Sequence, residues 1–110
     1  MIDLTYLKQV SGGDTVFIND ILGMFINQTM PDIRALKSLA ASGDKTQLAS
    51  AAHRCKSAIS MLGNTRATEL ITSIEHEAKL NEEKNSISEH IAELEVLTIA
   101  LEQEIHKLMK

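Results

Sequence analysis

Apolar side chains return every three or four residues along almost the whole chain, and short polar or glycine-containing breaks cut that rhythm into five pieces. The breaks are Gly12-Gly13, Ser42-Gly43, Gly63-Asn64 and the polar run Asn81 to Asn85. The first piece is short, about Leu4 to Val10, with Asp3 as its expected N-cap. The second begins after the cap candidate Asp14 and runs to about Ala41, with Ile18, Leu22, Phe25, Ile33, Leu36 and Ala40 on one face. Pro31 falls inside it. A proline removes one backbone hydrogen bond, and the apolar face resumes beyond it, so a kink is expected rather than an end. The third starts at Asp44, with Gln47 three residues on in the spacing of a capping box. Leu48, Ala51, Ala52, Cys55, Ile59 and Leu62 form its apolar face, and Gly63 stops it. The fourth runs from about Thr65 to Leu80 and buries Ala67, Leu70, Ile71, Ile74 and Ala78. The fifth opens at Ser86, with Glu89 completing a second capping box, and carries Ile87, Ile91, Leu94, Leu97, Leu101, Ile105 and Leu108.

The β-branched residues are scattered at helical spacing, so no strand competes. Four long amphipathic helices with short connections predict an all-α fold: an antiparallel four-helix bundle with a short additional N-terminal helix, one domain over residues 1–110. A composition of 44% hydrophobic but only 3% aromatic residues agrees with packed helices. At 110 residues there is material for one core and not for two. The net charge of −4, with no basic stripe, argues against nucleic acid as a partner. A single cysteine, Cys55, cannot form an intrachain disulfide and is expected to be an inert core thiol in a reducing compartment. Met1 to Val10 lacks an apolar signal core, and no stretch approaches the ~20 apolar residues of a membrane span. The expected location is the cytoplasm, away from membranes.

One face of the third helix departs from scaffold. Position 53 lies ~200° around the helix from Cys55, so His53 should face outward while Cys55 faces in. Its neighbours one or two turns away are Thr46, Ala49, Ser50, Lys56, Ser57 and Ser60, all small apart from Lys56. A solvated helix face ordinarily carries several long charged side chains; a bare ring around an exposed imidazole leaves room for another protein. Neutral imidazole is a good nucleophile near pH 7. Lys56, one turn on, can place an ammonium beside phosphoryl oxygens, and Ser57 can donate a hydrogen bond. On spacing alone, an exposed His followed by a Lys is more often a solvated pair than a site.

The segment Ala52-His53-Arg54-Cys55-Lys56-Ser57-Ala58, followed by Leu62-Gly63, closely resembles the signature of histidine phosphotransfer (HPt) domains: His, two residues, Lys, a small residue, and Leu-Gly further on. Gly13-Asp14, Phe25, Leu36, Gly43-Asp44, Leu70 and Ile74-Glu75 also fall where that family tends to have similar residues, so the resemblance covers about Leu4 to Leu80. The last helix matches only as a generic amphipathic helix. Ser57 stands where Gly is commoner, and Cys55 where Leu is.

The resemblance implies a phosphorelay intermediate of two-component signal transduction. His53 would be the phosphorylated residue, Lys56 its electrostatic helper, and Glu75 would orient the imidazole. The implied partners are response-regulator receiver domains and, in a larger assembly, a hybrid sensor histidine kinase. Such a protein is a stoichiometric carrier rather than a turnover enzyme. It needs no cofactor of its own, with Mg²⁺ expected on the receiver.

A second apolar stripe on the second helix, Phe17, Ile21 and Met24, ends near Gln28. Either the first helix covers it with Tyr6 and Leu7, or part of it stays open as a docking patch beside Ala49, Ser50 and Ser60. His76-Glu77 resembles the start of a zinc-protease motif, but Leu80 stands where the second ligand should be. It also resembles the H-box of sensor kinases without the proline that follows there. His90 and His106 are expected to be solvated on the polar side of the last helix. No Gly-rich nucleotide loop is present, so self-phosphorylation from ATP is not expected. The competing reading is a non-catalytic helical-bundle interaction module, supported by the second stripe and the long last helix.

Overall fold

The computed structural model describes residues 2–80 and 86–108. The expected connection Asn81 to Asn85 lies outside the described residues. Among the described residues, five helical rods follow the breaks in the sequence: α1 over Thr5–Ser11; α2, which is α-helical over Thr15–Met24, π-helical over Phe25–Thr29 and α-helical again over Met30–Ser42; α3 over Lys45–Met61; α4 over Thr65–Leu80; and α5 over Ile87–Leu108. The second half of α2, α3, α4 and α5 pack in a closed ring, each on the next and α5 back on α2. This is the all-α four-helix bundle that the apolar rhythm predicts, with α1 as the short extra helix. Among the described residues there is no strand, and no helix is long and apolar enough to cross a membrane.

The caps account for most of the helix starts. Asp14 Oδ1 accepts the N–H groups of Val16 (2.9 Å) and Phe17 (3.2 Å), Asp44 Oδ1 that of Gln47 (3.1 Å), and Asn64 Oδ1 that of Ala67 (2.9 Å). The α1 boundary differs by one residue from the expected one: Leu4 holds the cap position, and Asp3 accepts the Thr5 N–H at 2.9 Å. Neither expected capping box closes. The Asp44 N–H that Gln47 would bond is donated to Leu39 O, where it finishes α2. The Ser86 N–H that Glu89 would bond is donated to Glu77 of α4 at 2.8 Å.

Pro31 leaves the second helix unbroken, as expected, but the accommodation is a π-turn. The Met30 N–H reaches back five residues to Phe25 O, widening the turn just before the residue that has no N–H to donate. The extra residue brings both Thr29 and Met30 into the core, whereas the apolar spacing of the sequence skips from Phe25 to Ile33. The apolar faces of α3 and α4 are buried at every expected position. In α5 the core position after Leu94 belongs to Thr98, fully buried; Leu97 is half-buried and Leu108 exposed. Thr98 lies four residues from Leu94 and three from Leu101, and its hydroxyl donates to Leu94 O at 2.8 Å, which removes the cost of burying it.

The N-terminal segment is pinned at the end of the helix that carries His53. The Asp3 N–H donates to Leu62 O at 2.7 Å. Next to it, Gly63 has φ +71°, and a Cβ there would come within 2.7 Å of Asp3 Cβ. Only glycine meets both conditions. With this closure α1 packs against α2, Leu7 enters the core and Tyr6 stands open to solvent.

Candidate functional site

With Asp44 capping one end of α3 and Gly63 ending the other, Ala51, Ala52, Cys55 and Ile59 turn inward and His53 is left on the outer face. The His53 side chain is 74% exposed. Cys55 is fully buried, and burial pushes its thiol up to about 12, so it is not a nucleophile near neutral pH.

Beneath the imidazole lies Glu75 of α4, on the α3-facing side of that helix between Ile71 and Ala78. Its side chain is only 7% exposed, yet it is covered rather than deep, because the groups over it are themselves open to water. His53 Nδ1 lies 2.9 Å from Glu75 Oε2, Lys79 Nζ 3.0 Å from the same oxygen, and Lys56 Nζ 3.7 Å from Oε1. The hydrogen bond from Lys79, then that from His53, holds the Glu75 carboxyl below its ordinary range, with the Lys79 and Lys56 charges acting in the same direction and desolvation opposing. An ionised carboxylate only accepts, so Nδ1 donates to it. The neutral ring then carries its proton on Nδ1 and its lone pair on Nε2, and no described residue bonds Nε2. A tethered, exposed nitrogen nucleophile with an ammonium one turn away is what the arrangement offers chemically.

Two recesses flank the ring. Tyr6, Lys56, Ser57, Ser60 and Met61 line one with His53; Lys56, Thr72, Glu75, His76 and Lys79 line the other. A groove between α2 and α3 continues from the first, walled by Ile21, Met24 and Gln28 on one side and Arg54, Ser57, Ala58 and Met61 on the other. Of the second apolar stripe, Phe17 stays 41% and Met24 49% exposed and Ile21 is half-buried, while α1 packs against α2 with Leu7 buried and Tyr6 exposed. Ser60 faces the first recess, though its hydroxyl is turned back to Lys56 O at 2.8 Å. Ser50 accepts from Arg54 at 3.2 Å, and Ala49 borders a separate hollow with Thr46 and Lys79, so these two lie outside the groove.

The sequence reasoning did not bring Lys79 or Met61 to His53, and it assigned Tyr6 to covering the second stripe rather than to the rim of the His53 recess. The Glu75 to Lys79 spacing of four was a usable signal for the first; nothing local marks the other two. His90, expected to be solvated, is instead half-buried, its Nδ1 2.6 Å from Glu77 Oε1 without hydrogen-bond alignment. It belongs to the α4–α5 seam, where the Arg66 guanidinium also clasps Glu93 at 2.6 and 2.7 Å. His76 and His106 are exposed. Among the described residues no group of three or more His, Cys, Asp or Glu is gathered as a metal would need.

Searches of the curated proteins and of the solved structures return no match. A family model described as Hpt domain matches residues 20–109, running through α5 and so well beyond Leu80, where the resemblance in sequence stops. With most of the chain matched and the all-α bundle that the family requires, the protein belongs to the Hpt domain family, the phosphotransfer modules of two-component phosphorelays.

Proposed function

We propose that the chain, as a single domain over residues 1–110, is a stoichiometric phosphohistidine carrier. His53 takes a phosphoryl group from the phosphorylated aspartate of one receiver domain and yields it to the aspartate of another. The observation that carries this reading is the exposed imidazole of His53 with Nδ1 tied to Glu75, which leaves Nε2 as the open lone pair.

In the forward step the Nε2 lone pair attacks phosphorus in line. An N–P bond forms, the P–O bond to the receiver aspartate breaks, and the carboxylate leaves with its electron pair. No proton has to move. The ring becomes a phosphorylated imidazolium with its N–H still on Glu75, whose charge compensates it. In the reverse step the ring leaves as neutral imidazole. In this scheme Lys56, which lines the recess beside His53, supplies an ammonium to the phosphoryl oxygens, and Ser57, on the lip of both the recess and the groove, donates to one of them. Mg²⁺ belongs to the receiver's site in this scheme. The receiver docks across α2 and α3, with Phe17, Ile21, Met24 and Gln28 on one flank and the small residues Ala49, Ser50 and Ser60 leaving clearance around His53.

Incubating the protein with a phosphorylated receiver domain and resolving the products on a phosphate-affinity gel tests the reading. The wild type should acquire an acid-labile, base-stable label, and His53→Gln should fold normally and acquire none. Label on folded His53→Gln, or no label on the wild type from any receiver, refutes it. The second outcome would return the chain to the reading of a plain interaction module.

A further inference from the structure

Nothing in the phosphotransfer scheme uses Lys79, yet its ammonium sits closer to Glu75 than that of Lys56 does, at 3.0 Å against 3.7 Å. It also shares Oε2 with His53 Nδ1, so one carboxylate oxygen is held by the ring and by Lys79 together. We infer that Lys79 is a positioning residue: it holds the Glu75–His53 pair in the one protonation state that leaves the lone pair on Nε2. The inference rests on the reading of His53 as the phosphoacceptor.

The pair can bind one further proton in two ways, and each abolishes the nucleophile. A proton on Glu75 makes the carboxyl a donor toward Nδ1, and the ring proton then moves to Nε2. A proton on the ring leaves both nitrogens as donors. A fixed positive charge beside the shared oxygen opposes both outcomes, because either one adds a positive charge a few ångströms away. The groups facing the pair are His53 and Lys56 from α3 and Lys79 from α4, with His76 bordering the same recess. Lys56 contacts the other oxygen at longer range, so Lys79 is the ammonium that shares the oxygen bonded by the ring. Lys79 reaches Glu75 from the next turn of the same helix, which fixes its approach without help from the partner protein.

The test uses the full chain, with phosphoramidate as donor so that no receiver is involved. The acceptance rate of each variant is taken as a ratio to wild type at every pH, which cancels the donor's own pH dependence. Lys79 is 63% exposed, so Lys79→Met should fold as the wild type does. The Lys79→Met ratio should stay within about twofold of unity at pH 8 and fall about three- to tenfold by pH 6, a shift of the acid limb discounted for solvent screening. Lys79→Arg should restore the wild-type profile. In parallel, ¹⁵N spectra of the unphosphorylated protein should show His53 protonated at Nδ1 and bare at Nε2 in the wild type near neutral pH. In Lys79→Met that pattern should be lost at a higher pH. Superimposable profiles and spectra overturn the inference; so does an equal loss at every pH with a lowered melting temperature, which would mark Lys79 as merely structural. If the wild type accepts no phosphoryl group while the spectra respond to Lys79 as described, the reading of His53 as phosphoacceptor fails and the control of the pair by Lys79 stands.

Discussion

Replacing Glu75 with leucine should separate the chemistry of the site from the stability of the bundle. The carboxylate accepts one hydrogen bond from the His53 ring and sits against two ammonium groups. A hydrogen bond to a charged group contributes about 1.5–3 kcal/mol where water is excluded. Here His53 is largely exposed, so water replaces part of what leucine removes, and the low end of that range applies. The expected loss is about 1.5 kcal/mol of transition-state stabilisation, roughly tenfold in phosphoryl acceptance. Stability should respond differently. Lys56 and Lys79 lie at the surface and regain water when their partner goes, while leucine fills the space beside Ile71 and Ala78 with apolar atoms. Exchanging a covered ion cluster for a hydrophobic residue is close to neutral, within about 1 kcal/mol, or a few degrees in melting temperature for a domain of this size. A quench time course against one phosphorylated receiver, read beside a thermal melt, measures both. Wild-type transfer rates in Glu75→Leu would refute the role of the Nδ1 tether, and collapse of the fold would refute the claim that Glu75 is kept for chemistry.

Three further outcomes are expected. Because the folded-state pKa of Glu75 lies below its ordinary value of 4.5, its stabilising contribution is complete above that pH and is lost as pH falls through the folded value; wild-type melting temperatures should therefore drop relative to Glu75→Leu below about pH 4.5, and parallel curves would contradict the depressed pKa. Gly63→Ala should destabilise by at least about 2 kcal/mol in urea unfolding, since it combines a left-handed backbone with a clash against Asp3, and a change below about 0.5 kcal/mol would mean that α1 is not pinned there. Met24→Asp and Ser60→Arg should melt like the wild type and slow transfer at subsaturating receiver but much less at saturation; full-speed transfer by both at low receiver would place docking elsewhere.

Much of this was legible in the sequence because the relevant physics is local. A helix turns by a fixed angle per residue, so the spacing of Leu48, Ala51, Ala52, Cys55 and Ile59 already put His53 on the opposite face from the core. Asp14 and Asp44 cap within three residues of themselves, and a glycine after Leu62 ends α3 by its own backbone freedom. The sequence by itself therefore determined the five helices, the core faces of α3 and α4, and the outward histidine with its lysine and bare surroundings.

What joins one helix to another was decided only in three dimensions. Glu75 entered the sequence reading through family resemblance alone, because no periodicity says that a glutamate on α4 will lie 2.9 Å from a ring on α3. The same holds for the Ser86 N–H taken by Glu77, for His90 drawn into the α4–α5 seam, and for Tyr6 brought to the rim of the His53 recess by the bond from Asp3 to Leu62. Thr98 and the π-turn before Pro31 show the rule from the other side. Apolar character suggested Leu97 and a skipped turn, but packing selects the position that faces the neighbouring helix and then satisfies or displaces the backbone to suit it. Side-chain pattern encodes which face of each helix is buried; the partner found across that face depends on how the rods settle against one another, and the proton position on His53 follows from that settling.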